Sequence, residues 1–338
     1  MIITIFISFI LANQGSIYII QEVEGNFSDN KAFINSSVQN TSFSIVTSLA
    51  VVKDFTYQIV GDLFSIENIV EGYEDPHTYE PTIEEAQKVE NADLFVRMGI
   101  DGIEPWVNQI INSQPSLKVI ELVDLEQDAR FDPLIDALNP HVWMSPIIVR
   151  DKIIPRLYTE LSSIDSINAN TYLNNSNTYL NELSTLITKV NNSKDDFLNI
   201  KVVEHHPSMM YLLEDLGIER IGVIEQKEGS EPSVSHINDI IETINSQEGE
   251  VRLVQQVNMD NDTLFQIARD TNTKIVYCNP LLGLKGLTKY IDLIEFNIDS
   301  LSNPIVPPAE AGVSFNLIAF FFGIIAISLF LKKRKKVF

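Results

Sequence analysis

Two hydrophobic rhythms alternate along this chain. Short runs of Val, Ile and Leu give way to stretches whose apolar residues recur every third or fourth position. The first rhythm suits a buried strand, the second a helix with one buried face. Residues 43–48 predict a strand, 49–60 a helix stopped by Gly61, and 63–70 a second strand. Thr82-Ile83-Glu84-Glu85 is a capping-box pattern that opens a helix over 82–91. Strands over 93–98 and 117–122 flank a helix near 104–112. Such alternation packs as βα units around a mostly parallel sheet.

The rhythm then changes. Residues 147–162 and 168–191 read as two long helices, and about 45 residues pass without a strand signal. In the second, Tyr172, Leu173, Tyr179, Leu180, Leu183, Leu186 and Ile187 form an apolar stripe. Alternation resumes with strands over 200–204, 219–224, 251–255 and 274–277. Helices over 209–216, 235–246, 260–270 and 287–301 separate and follow them, with Ser233 or Ser235 capping the second. The pattern predicts an α/β protein: an N-terminal lobe over 43–146, a helical spine over 147–194, and a C-terminal lobe over 195–302.

The ends follow neither rhythm. Residues 1–20 read as a signal-like apolar segment without basic residues ahead of it, and a retained N-terminal anchor is the alternative. Residues 21–42 are polar, rich in Asn and Ser, and read as a flexible lead-in. Residues 303–312 carry three prolines and read as a stalk. The apolar run 313–331 is long enough to cross a bilayer core, which takes about 20 residues. Lys332, Lys333, Arg334, Lys335 and Lys336 follow at once in the tail 332–338. The positive-inside bias puts that tail in the cytoplasm and the lobes outside. The expected localisation is therefore the cell membrane, single-pass, with an extracellular binding domain.

Composition narrows the partners. The 338 residues leave room for two ordinary domains. Net charge is −22, and five of the 24 basic residues sit in the tail, leaving 19 against 46 acidic ones. That excess argues against nucleic acid as a partner. Cys278 is the sole cysteine, so no intrachain disulfide forms and no N-terminal cysteine offers a lipid attachment point. Sequons at Asn26, Asn35, Asn40, Asn174, Asn191 and Asn261 are compatible with a glycosylated exterior.

The candidate chemistry lies in the histidines, of which there are five. His77 lies in Asp75-Pro76-His77-Thr78-Tyr79-Glu80-Pro81, after the second strand. His141 lies in Asn139-Pro140-His141-Val142-Trp143, ahead of the spine. His205 and His206 end the strand 200–204. Loops at the carboxyl ends of strands are where open α/β sheets bind ligands. Converging from two lobes, His77, His141 and His206 would make a metal site. Neutral imidazole suits zinc, whereas carboxylate-rich sites suit manganese or magnesium. Spacing alone leaves open that these histidines cap a strand or pack beside prolines. His236, inside a helix, reads as an ordinary surface or core residue.

With these residues in view, the chain resembles the zinc/manganese-type solute-binding proteins of ABC metal importers. The resemblance covers about 44–301 and runs through both Pro-His motifs, Ala92-Asp93, Gly99, His206 with Tyr211, Glu231-Pro232-Ser233 and Asn279-Pro280. It implies two lobes joined by a long rigid helix, with metal in the cleft. It implies His77, His141 and His206 as ligands, the third histidine resembling zinc-type members. It also implies a fourth ligand at Asn279, where the family usually has aspartate. A neutral amide is a poorer ligand and adds no charge. Gln255 likewise stands where a glutamate is expected, and no His-rich loop lies between His77 and His141.

The expected function is capture of Zn²⁺, with Mn²⁺ second, for an importer's permease and ATPase subunits, by a monomer that is not an enzyme. A zinc hydrolase is the alternative, with Glu80, Glu204 or Glu231 as base beside the metal. An adhesin-like or sensor protein with weakened metal binding is another.

Overall fold

The computed structural model describes residues 10–13, 16–19, 41–227, 229–257, 259 and 262–307. The expected membrane helix 313–331 and tail 332–338 lie outside the described residues, as does the stalk beyond residue 307. Among the described residues no helix is long and apolar enough to cross a membrane. Within the expected signal-like segment, β1 (Ile10–Asn13) and β2 (Ser16–Ile19) pair antiparallel, and β3 (Thr41–Ser42) adds to β2.

The N-terminal lobe is a βα succession. It runs β4 (Ser44–Leu49), α1 (Ala50–Val60), β5 (Ser65–Val70), α2 (Ile83–Glu90), β6 (Leu94–Arg97), α3 (Val107–Ile111) and β7 (Lys118–Glu121). Its sheet has the order β5-β4-β6-β7 with every pairing parallel. β4 and β6 are central and nearly wholly buried, and most of their residues are apolar. Gly61, at φ 62°, caps α1 by donating its N–H to Tyr57 O. The capping box opening α2 is present in both directions, between Thr82 and Glu85. A short helix α4 (Leu125–Asp128) and an antiparallel pair, β8 (Phe131–Asp132) with β9 (Ala137–Leu138), complete the lobe.

The spine comprises two helical stretches. The first begins as α5 (Pro146–Ile148), widens to a π turn over Val149–Ile153, and continues as α6 (Ile154–Ile164). Pro155 has no N–H to continue the ladder, and the wide turn precedes it. The second is α7 (Ala169–Asn192), 24 residues and so ~36 Å long. Its buried stripe (Tyr172, Ser176, Tyr179, Leu183, Leu186, Ile187, Val190) packs on α1 and α6.

The C-terminal lobe repeats the first. It runs β10 (Ile200–Glu204), α8 (Met210–Leu216), β11 (Glu219–Val223), α9 (Val234–Asn245), β12 (Glu250–Gln256), α10 (Asp262–Thr271), β13 (Lys274–Cys278) and α11 (Tyr290–Ser302). Its sheet, β11-β10-β12-β13, is again fully parallel. In both sheets the order is second, first, third, fourth strand. Ser233 is the residue that caps α9, accepting from His236 N. Ile305, at the start of the expected stalk, exchanges backbone hydrogen bonds of 2.8 and 2.7 Å with Ile275.

α7 also packs on α8 and α11, so it serves both lobes. Asn175 donates to Ile59 O at 2.9 Å on one side, and Lys189 pairs with Glu295 at 2.8 Å on the other. One apolar core runs through both lobes and the spine, from Ile45 and Phe95 to Tyr211 and Leu293. At the seam, Gly72 lies against the backbone of Leu282, and Gly283 against Glu71. A Cβ on Gly72 would sit 1.5 Å from Leu282 O, and one on Gly283 1.7 Å from Glu71 O. Both glycines have positive φ, 102° and 99°, so neither tolerates a side chain.

Candidate metal centre

Each histidine loop is shaped locally before it meets the others. Asp75 accepts the backbone N–H of His77 at 3.0 Å and the Thr78 hydroxyl at 3.2 Å, closing a tight turn after β5. Asn139 Oδ1 accepts the backbone N–H of His141 at 3.0 Å. His206 lies two residues past the end of β10, after His205, and Pro207 then starts the turn into α8.

The three rings meet. Their centroids lie 5.7 Å (His77–His141), 5.6 Å (His77–His206) and 5.1 Å (His141–His206) apart. One ligand atom from each lies within 4.8 Å of the others. His141 and His206 are 3% and 6% exposed, and His77 is half-buried. They line a cavity of about 190 Å³ with Asp75, Gln256 and Met259, and with Ile103, Trp143 and Leu281 as apolar wall.

The partners of the outer nitrogens assign the tautomers. His77 Nδ1 lies 2.6 Å from Gly102 O, a carbonyl that can only accept. His206 Nδ1 lies 2.9 Å from a Glu225 carboxylate oxygen. His141 Nδ1 lies 3.1 Å from Asn139 Oδ1. That amide is not reversible, because its Nδ2 donates to Asp132 Oδ2 at 3.1 Å and to Pro207 O at 2.8 Å. Every Nδ1 therefore carries the proton, and each Nε2 is left as the ligating atom. His141 Nε2 and His206 Nε2 are 3.4 Å apart. A tetrahedral ion with metal–nitrogen bonds of about 2.0–2.1 Å places two ligand nitrogens about 3.4 Å apart.

Burial and the neighbouring rings keep two of the imidazoles neutral. Burial, then the facing His206, lowers the pKa of His77. Burial, His206, His77 and Arg220 hold His141 well below the ordinary range. Burial pushes Glu225 up, but the hydrogen bonds from His206 and the Gly229 N–H hold it below the ordinary carboxylate range, so it stays ionised. A buried network ties the loops together: Arg220 bridges Glu204 and, at 2.9 Å, Asp132. Glu204 accepts Met209 N at 2.8 Å, behind His206, while Asp132 holds Asn139, behind His141. Tyr211 donates to Asn139 O at 2.7 Å.

Asn279 is buried but does not line the cavity. Its Oδ1 accepts Leu281 N at 3.1 Å, and its backbone exchanges bonds with the Asn297 side chain. Gln255 donates to Gln256 O and Met259 O, fixing that loop. His205 is not part of the three-histidine group, and its backbone is bound to Val254 and Glu225. His236 Nε2 lies 2.8 Å from Val223 O. Of the acids considered as bases, Glu80 and Glu231 are exposed and Glu204 is held by Arg220. Sequence reasoning missed Glu225. Its one signal is its place just past β11, where β5 delivers the His77 loop in the other lobe.

A family model described as zinc-uptake complex component A, periplasmic, matches residues 45–303. The chain belongs to this family. Its members are metal-binding, substrate-binding components of ABC metal importers, working with permease and ATPase partners. The manganese-binding lipoprotein MntA of Halalkalibacterium halodurans is 27% identical over 281 residues, 78% of this chain and 89% of that protein. The high-affinity zinc uptake system protein ZnuA of Bacillus subtilis is 23% identical over 298 residues, 80% and 92% of the two chains. A crystal structure of ZnuA matches with a TM-score of 0.68 at 23% identity, over 78% of this chain and 98% of that one. The likeness carries the fold of two parallel-sheet lobes, and the relatives carry names of both metals.

Proposed function

We propose that this chain captures Zn²⁺ through His77, His141 and His206 and hands it to the permease and ATPase of an ABC importer. The observation that carries the reading is the geometry of the three rings: each Nδ1 faces an oxygen acceptor outward, and one ligand atom from each ring lies within 4.8 Å of the others. Three neutral nitrogens suit zinc better than manganese, which favours carboxylate oxygens. Water fills the fourth position in this reading, since Asn279 spends its oxygen on Leu281 N. Residues 313–331 tether the protein, a monomer, to the membrane, with 332–338 inside and the lobes outside.

Calorimetric titration of the metal-stripped chain with Zn²⁺ and, separately, Mn²⁺ tests this. One-to-one zinc binding, submicromolar and much tighter than manganese, is expected. Equal or tighter manganese binding would overturn the metal assignment, and binding of neither would leave a fold without its cargo. The name of the MntA relative favours manganese as the second reading.

A further inference from the structure

The three histidines are not held alike. His77 leans on a neutral carbonyl and His141 on a neutral amide, but His206 leans on a carboxylate. Glu225 is 7% exposed, so water screens its charge little. Its second oxygen accepts Gly229 N at 2.6 Å, and its own N–H donates to His205 O at 2.8 Å. The carboxylate is thus fixed from two sides, with one oxygen aimed at the His206 ring. Its backbone is bonded to the strand end that carries His206. A charge-assisted bond of this kind is stronger than a neutral one and makes the opposite ring nitrogen a better donor.

We propose that Glu225, acting through His206, sets the affinity of the centre and its preference for zinc over manganese. It is a positioning residue: it orients the ring, holds the Nδ1–H tautomer, and supplies the buried negative charge that a dication facing three neutral imidazoles lacks. The gain falls on ions that bind nitrogen well, so zinc profits more than manganese. The inference rests on the three-histidine reading of the cargo site.

The test uses the full chain and its Glu225→Gln variant, titrated with Zn²⁺ and with Mn²⁺. Ring nitrogen NMR of His206 in the metal-free proteins accompanies it. Zinc affinity should fall about 10- to 100-fold, the zinc-to-manganese ratio should shrink, and the Nδ1–H form of His206 should lose its dominance. A folded variant with unchanged zinc affinity would overturn the inference. Should the variant not fold, the wild-type spectrum decides: an Nε2–H form at His206 overturns it, an Nδ1–H form shifted by a carboxylate partner supports it. A wild type that binds no zinc would sink the cargo reading instead, while the His206 tautomer still reports on Glu225.

Discussion

His141 Nε2 and His206 Nε2 face each other at 3.4 Å across the seam between the lobes. Both rings carry their proton on Nδ1, so two lone pairs point at one place, an arrangement that a cation relieves. We expect His77→Ala, His141→Ala and His206→Ala each to lower zinc affinity by about tenfold or more. Calorimetry reads this directly, and an isotherm unchanged in any one variant would remove that residue from the centre.

The depressed pKa values of His77 and His141 give a pH dependence of known sign. In the unfolded chain these rings take up protons near pH 6.5. In the folded chain they resist. Below that pH the unfolded state binds more protons, so stability falls as pH falls. Thermal melts of the metal-free chain should show a midpoint lower at pH 5 than at pH 7.5. Zinc binding should weaken as pH falls, because protons compete with the ion for the three ring nitrogens.

Arg220 stands between two buried carboxylates. Arg220→Met leaves Glu204 and Asp132 without their counter-charge, which costs about 3–5 kcal/mol in such pairs. Urea denaturation should show that loss, and metal affinity should drop with it, because Glu204 and Asp132 brace the loops of His206 and His141. An unaltered midpoint would mean that the network is not tight in solution.

Gly72→Ala and Gly283→Ala drive a methyl group into backbone on the opposite side of the seam. The positive φ alone costs of order 1–3 kcal/mol. Each variant should release bound zinc faster than wild type in a chelator-competition assay. Equal release rates would show that the seam is looser than the two glycines imply.

Much of this fold was legible in local pattern. β10 is legible because Ile200, Val202 and Val203 are apolar and a histidine pair follows Glu204, and α2 is marked by its capping box. β8, β9 and α4 carry too few residues for any rhythm and were not read. The three histidines that the structure brings together are visible in the sequence because each sits beside a proline in a short motif, and the family resemblance groups them. Glu225, Gly102 and Arg220 are not, because their roles exist only once distant loops meet. The pairing of Ile305 with Ile275 escaped for the same reason, since the flanking prolines spoke only of a stalk.

α7 is fastened to both lobes, by Asn175 on one side and Lys189 on the other, and the core it joins is continuous. It works as a spar rather than a hinge pin. On that build, a partner that must tell a loaded carrier from an empty one is expected to feel little swing of the jaws. The message has to be tactile, written in the posture of the few loops that close over the ion.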